Sequence, residues 1–328
     1  MQRRTFLALP LLAAPALTPG LAQEAWPARP ITLLSGFPNG AGTDIYSRRL
    51  AEPLARLLGQ PIIVDNRSGA GGNIASDLVA KARPDGHLLL LGTAGTHAIN
   101  QSLYRTLPFH VVADFTPIAH LGDVPNVLTT SLPRRPHLQN CADVLAAARA
   151  RPQAVSYAST GNGASTHLAG AQFAAAAGID MLHVPYRGQP GAQGAVLAGD
   201  VDLFFNQVGP ALGAIQGGLT RAIAVTTATP VAALPGVPTV AEACNLPGFV
   251  STTWYGLLGP AGLPPAIVAR INAAVQQVIT APEFAQWLVT SQGIAPPPVN
   301  TPEGFAAIQI RDVATWAEVV RRSGATVD

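Results

Sequence analysis

From Pro30 onward, short aliphatic and β-branched runs alternate with stretches whose apolar residues recur every three or four positions. That alternation predicts parallel α/β construction. The first part reads as strands over 31–34, 61–64 and 88–92, with helices over 43–58 and 72–82. Gly59 closes the first helix, and Pro53 inside it removes one hydrogen bond or kinks it. The strand over 88–92 has no polar alternation and reads as buried on both faces.

A second series begins after Val124-Pro125-Asn126. It predicts helices over 141–149, 166–177, 191–197 and 210–216, and strands over 155–157, 181–184, 201–205 and 222–226. The stretch 228–247 is rich in proline and reads as irregular, and 249–258 as extended again. Two amphipathic helices follow, over 265–280 and 302–323, the first placing Ile267, Ile271, Val275 and Val278 on one face. The pattern fits two α/β lobes joined by two chain crossings, near 122–126 and 249–254, with a simple split into N-terminal and C-terminal halves as the alternative. The expected division is a leader over 1–22, a first lobe from 23–124 and 250–328, and a second lobe from 125–249.

The start changes the picture of location. Arg3 and Arg4 precede an apolar stretch broken by Pro10, Pro15 and Pro19, with small residues at Gly20 and Ala22. This is the order of a secretory signal, with cleavage expected after Ala22. The protein is expected in the periplasm, by the general secretory or the twin-arginine route.

The 328 residues hold 20 Lys plus Arg against 18 Asp plus Glu. Removal of Arg3 and Arg4 leaves 18 against 18, and Lys81 is the one lysine. So balanced a chain has no electrostatic footprint for nucleic acid. Cys141 and Cys244 either pair in an oxidising compartment or sit apart as small buried residues. Neither they nor the histidines have metal-ligand spacing, so no metal or cofactor is expected.

Two segments share one design. Strand 31–34 runs into Phe37-Pro38-Asn39-Gly40-Ala41-Gly42-Thr43-Asp44 and then a helix. Strand 155–157 runs into Ser159-Thr160-Gly161-Asn162-Gly163-Ala164-Ser165-Thr166-His167 and then a helix. Small residues admit a ligand close to the backbone, and a helix start offers free N–H groups and a positive dipole end. A carboxylate fits such a place without an arginine. The alternative is an ordinary glycine turn in each case, with Thr43 and Ser165 as N-caps. Two loops of one kind, at the carboxyl ends of strands in two lobes, favour a clamp on one molecule. The third glycine-rich turn, over 67–72, reads as a tight connection.

Ser159, Ser165, His167, Asp44 and Asp202 are raw materials for a nucleophile and base. No G-x-S-x-G elbow, HExxH motif or paired-cysteine site accompanies them. A non-enzyme is therefore expected, with an exported serine hydrolase using Ser159 or Ser165 with His167 as the rival.

Several motifs in order carry a family resemblance: WPARPI from Trp26, FPNGAGTD from Phe37, DNRSGAGGN from Asp65, PDG from Pro84, GTHAIN from Gly95, YASTGNGASTHLAG from Tyr157, HVPYRG from His183, GDVDL from Gly199 and LPGVPT from Leu234. The chain resembles the Bug-type receptors of the tripartite tricarboxylate transporter family. The resemblance implies a two-lobed, Venus-flytrap (type II) periplasmic binding protein with a ligand between its lobes, and the chain is expected to be a monomer. It would deliver a small organic acid to membrane transporter subunits, or present it to a membrane sensor kinase. Carried over, the first-lobe contacts are Phe37, Gly40, Gly42, Thr43, Asp44 and Thr96. The second-lobe contacts are Ser159, Thr160, Gly163, Ser165, His167 and Asn206. The family pattern is altered at Asn39, Ala41, Ala164 and Asn206. Asn206 stands where an aspartate is frequent, which argues against a cationic amine as ligand. Arg187 reads as structural, or as a link between lobes.

Overall fold

The computed structural model describes residues 26–298, 300–323, 326 and 327. The expected leader, with its arginine pair and expected cleavage point, lies outside them. The elements, in chain order, are β1 (Ile31–Ser35), α1 (Gly42–Leu58), β2 (Ile62–Asn66), α2 (Asn73–Ala80), β3 (Leu88–Thr93), α3 (Asn100–Leu103) and β4 (Phe115–Ser131). Next come α4 (Cys141–Ala150), β5 (Ser156–Ser159), α5 (Ser165–Ala177), β6 (Leu182–Pro185), α6 (Gln189–Ala198), β7 (Leu203–Gln207), α7 (Val208–Gln216), β8 (Thr220–Val225) and α8 (Val240–Ala243). The chain ends with β9 (Thr252–Pro260), α9 (Pro265–Ile279), α10 (Pro282–Trp287) and α11 (Pro302–Ser323).

Spacing explains the helices. In α1, Tyr46, Leu50, Leu54 and Leu58 recur every fourth residue, and each is at most 2% exposed. Arg48, Arg49, Glu52 and Arg56 face outward, and Gly59 ends the helix at φ 82°. Tyr46 also donates to Leu121 O at 2.8 Å, tying α1 to β4.

Among the described residues, nine strands form one curled sheet in the order β2-β1-β3-β9-β4-β7-β5-β6, with β8 also on β4. It is not wholly parallel, as the alternation predicted. β1–β2, β1–β3, β5–β6 and β5–β7 are parallel, whereas β3–β9 and all pairs of β4 are antiparallel. The difference lies in β4, whose 17 residues include Pro117, Gly122 and Pro125 and so do not read as one strand. Register shifts at 117–119 and 120–122 absorb two of these breaks.

β4 joins the two lobes. Its first part, Phe115 to Pro125, pairs with β9, and Asn126 to Thr130 pair with β7. The return crossing precedes β9, where Ser251 N donates to Thr226 O. In the first lobe, one sheet face packs Leu50, Leu54, Ile271 and Val275 from α1 and α9, and the other packs Ala75, Val79, Leu103 and Phe305 from α2, α3 and α11. In the second lobe, Val144, Phe173 and Phe205 form one core layer, and Ala192, Val196 and Phe204 another. No helix among the described residues is long and apolar enough to cross a membrane.

Cys141 and Cys244 are joined as a disulfide, their Cα atoms 5.2 Å apart across 103 residues of chain. It ties the start of α4 to the residue after α8. So long a closed loop restricts the unfolded chain strongly. Reduction, or Cys141→Ser with Cys244→Ser, is expected to lower the unfolding free energy by about 2–5 kcal/mol. A urea titration with and without reductant checks this; an unchanged midpoint would contradict it.

Candidate functional site

Both loops rise from strand ends and turn into helices, and neither helix is capped by a side chain. The N-cap of α1 is Ala41 and that of α5 is Ala164, so Thr43 and Ser165 are not the caps the sequence suggested. Thr43 instead shares a hydrogen bond with Ser35 Oγ at 2.9 Å. Asp44 braces the first loop: one carboxylate oxygen accepts from Gly40 N at 2.9 Å and the other from Arg48 Nε at 2.9 Å. Asn66 Nδ2 donates to Phe37 O at 2.9 Å.

The second loop is braced by hydroxyls and two histidines. Thr166 Oγ1 accepts from Thr160 N at 2.9 Å. Gly163 N donates to His167 Nδ1 at 3.2 Å, and Ser159 Oγ shares a hydrogen bond with His183 Nε2 at 2.7 Å. The two imidazoles stack with centroids 3.9 Å apart. Burial holds His167 down to about 4, and burial together with the neighbouring His167 holds His183 at about 3. Both rings are therefore neutral at neutral pH, which the acceptor role of Nδ1 in His167 requires.

The loops meet on one cavity of about 480 Å³, counted as all non-atom space including its open mouth. Of the expected contacts, Phe37, Gly42, Thr43, Thr160 and Ser165 line it. Gly40, Asp44, Thr96, Ser159, Gly163, His167 and Asn206 do not; Gly40 is exposed and the others are buried or half-buried outside the lining. Thr96 accepts from Thr93 N at 3.0 Å and so holds a lining residue. Asn206 is wholly buried and donates to Gln193 Oε1 at 2.9 Å. Its neighbour Gln207 lines the cavity instead, because successive strand residues point to opposite faces. The charge argument from Asn206 thus has no direct place in the cavity.

Sequence reasoning also missed Ala41, Gly71, Thr93, Gly95, Ala164, Gln189 and Thr253, which complete the lining. Gly71 brings in the turn over 67–72 that reads only as a connection. None of the described lining residues is ionisable. Arg187 lines an adjoining outer cavity, which shares Phe37, Gly71 and Thr160 with the inner one.

The lobes touch across the cleft where glycines leave room. A Cβ on Gly42 would stand 2.1 Å from Gln207 Oε1 and 2.3 Å from Tyr255 Oη. One on Gly188 would stand 2.6 Å from Pro38 Cγ, and one on Gly163 2.3 Å from Leu103 Cδ2.

The hydrolase pairing is not formed. Ser159 bonds His183 rather than His167 and is fully buried. Asp202 serves β5: it accepts from Ser156 N at 2.8 Å and Ser156 Oγ at 2.6 Å, and pairs with Arg135. Burial pushes this carboxyl up, and the Ser156 and Arg135 bonds outweigh it, leaving it below the usual range.

The histidine stack has a consequence for stability. An unfolded histidine titrates near 6.5, above the folded values of about 4 and about 3. Between those limits the unfolded chain binds more protons, so stability is full above the unfolded value and falls as pH drops toward the folded ones. Urea midpoints measured from neutral to mildly acidic pH are expected to fall less steeply in His167→Gln than in the parent. Equal slopes would sink the assignment.

The family model described as "Tripartite tricarboxylate transporter family receptor" matches residues 46–324. Protein BugT of Bordetella pertussis is 33% identical over 321 residues, covering 98% of this chain and 95% of BugT. The solved structure "R. palustris Rpa4515 with adipate" is similar with TM-score 0.87 and 32% identity, covering 92% of this chain and all of that one. MatC from Rhodopseudomonas palustris, solved with bound malate, gives TM-score 0.83 and 31% identity, covering 90% of this chain and all of that one. With this coverage, the chain belongs to the tripartite tricarboxylate transporter receptor family.

Proposed function

We propose that this protein is an exported, non-catalytic receptor that captures a small organic carboxylate between its lobes and delivers it to a tripartite tricarboxylate-type transporter. The observation that carries the reading is the meeting of two uncapped helix starts, α1 from one lobe and α5 from the other, on a cavity lined by no ionisable side chain. Each start presents unpaired N–H groups and the positive end of a helix dipole. A carboxylate placed there accepts from both lobes at once. Adipate and malate in the two similar structures support the ligand class.

Closure follows from that geometry. Ligand bound to the open form touches one lobe, whereas the closed form adds the second set of N–H groups. Binding therefore shifts the balance toward closure. The working division is 23–124 with 250–328 as the first lobe and 125–249 as the second, after export has removed 1–22. The site-forming contacts are Phe37, Gly42, Thr43, Thr160 and Ser165. Gly40, Asp44, Thr96, Ser159, Gly163 and His167 hold these in place.

The test is a thermal-shift screen of the chain from residue 23 against mono-, di- and tricarboxylates and amino acids. A ligand at a hundred times its dissociation constant adds about 2.7 kcal/mol, a plainly visible shift. The expected hits are carboxylates, bound stoichiometrically and recovered unchanged. Gly42→Ala is expected to weaken the hit about tenfold or more, because its Cβ would push Gln207 and Tyr255 away and oppose closure. No shift with any acid would refute the receptor reading.

A further inference from the structure

A side-chain hydrogen bond crosses between the lobes at the cavity itself. Tyr255 Oη of β9 donates to Gln207 Oε1 of β7 at 2.8 Å. Both atoms crowd the first residue of α1, where a Cβ on Gly42 would stand 2.1 Å from Gln207 Oε1 and 2.3 Å from Tyr255 Oη. The pair fills the room that a side chain at 42 would take. It therefore lies beside one of the two helix starts that open on the cavity.

Tyr255 is held firmly enough to aim its partner. It is 1% exposed and packs edge-on against Tyr46 with ring centroids 5.6 Å apart, and Tyr46 is itself tied to Leu121 O. Burial pushes the phenol up, against a smaller opposing effect of the Gln207 bond, so the O–H keeps its proton at neutral pH. Among the described residues, Gln207 Oε1 is the one hydrogen-bond partner of this hydroxyl. With the amide turned about and Nε2 toward Tyr255, the hydroxyl proton would be left buried without an acceptor. Tyr255 thus fixes the amide with its oxygen toward the phenol. Gln207 lines the cavity, and its Nε2 has no partner among the described residues. A free amide donor beside the positive end of a helix complements an oxygen that only accepts.

We infer that Gln207 donates through Nε2 to an oxygen of the captured acid beside the start of α1, and that Tyr255 is the positioning residue that keeps the amide turned that way. The inference rests on the reading that the helix starts hold a carboxylate. It adds a side-chain donor that belongs to neither glycine-rich loop. Gln207 and Tyr255 sit on opposite lobes of the working division, so opening the cleft parts them. The donor is then aimed only in the closed form, which ties capture to closure.

Titration calorimetry at neutral pH with adipate, malate, citrate and benzoate tests it on the chain from residue 23. Gln207→Glu keeps an acceptor for Tyr255 but turns a negative, acceptor-only group toward the ligand. It is expected to weaken every acid that the parent binds by about tenfold or more, with cooperative unfolding near the parent temperature. A tie between lobes that never touches ligand would survive this change. Affinity equal to the parent's therefore overturns the inference and leaves the carboxylate-receptor reading standing. The uncharged Gln207→Leu is expected to cost about tenfold as well, and it carries the same test if Gln207→Glu does not fold. Tyr255→Phe removes only the hydroxyl and is expected to weaken binding about threefold or more, yet to change nothing in the Gln207→Leu background. An undiminished effect in that background overturns the positioning role of Tyr255. If the folded parent binds none of the four acids, both readings fall.

Discussion

Helix starts need acceptors, and this chain supplies side-chain ones at some helices and not at others. Away from the cleft, α4 begins with a full capping box between Asn140 and Asp143, and α8 with another between Thr239 and Glu242. At the cleft, α1 and α5 begin at Ala41 and Ala164, with hydroxyl residues close by that do not cap. An alanine in place of a capping residue forgoes about 1 kcal/mol at each helix. Other helix starts, such as those of α9 and α10, also lack a side-chain cap; what sets α1 and α5 apart is that their starts, one from each lobe, line one cavity. Most of the surrounding side-chain chemistry serves to keep those starts aimed.

That service is visible in how the side chains are used. Asp44, Asn66 and the Ser35–Thr43 pair fix the first loop, while Thr166, His167 and the Ser159–His183 pair fix the second. These groups stand behind the lining or turn inward from it, so the cavity wall is largely backbone, small residues and neutral amides. A second requirement comes from closure. Gly42, Gly163 and Gly188 lie where the opposite lobe comes within contact of a missing Cβ. Glycine at these positions lets loops from both lobes approach one ligand, and β4, continuous through both lobes, keeps their spacing.

The two loops were legible in the sequence because glycine-rich turns between a strand and a helix have a local signature. The lobes were legible for the same reason, as alternating periodicities. Facing was less so. Asn206 and Gln207 differ by one residue, and a strand reverses its face at every step, so only the observed pairing with Asn126 and Val127 assigns them. Thr253 gives no signal of its own, since Thr252-Thr253-Trp254-Tyr255 reads as an ordinary strand start. β4 escaped because proline and glycine inside a strand read as breaks, whereas here register shifts accommodate them. The pairing of His183 with Ser159 joins strands that only the parallel register of β5 and β6 brings together.

A site whose charge recognition comes from backbone has a particular freedom. The N–H groups at a helix start do not depend on which side chains the helix carries, so the carboxylate-binding end tolerates substitution as long as the turns survive. On the proposed reading, discrimination between acids then falls to the side chains that complete the cavity wall. Those outside the two glycine-rich loops include Thr93, Gln189, Gln207 and Thr253, supplied by β3, α6, β7 and β9. The loop motifs that make the family recognisable are thus distinct in sequence from these wall residues, and on the proposed reading they carry little information about which acid is bound.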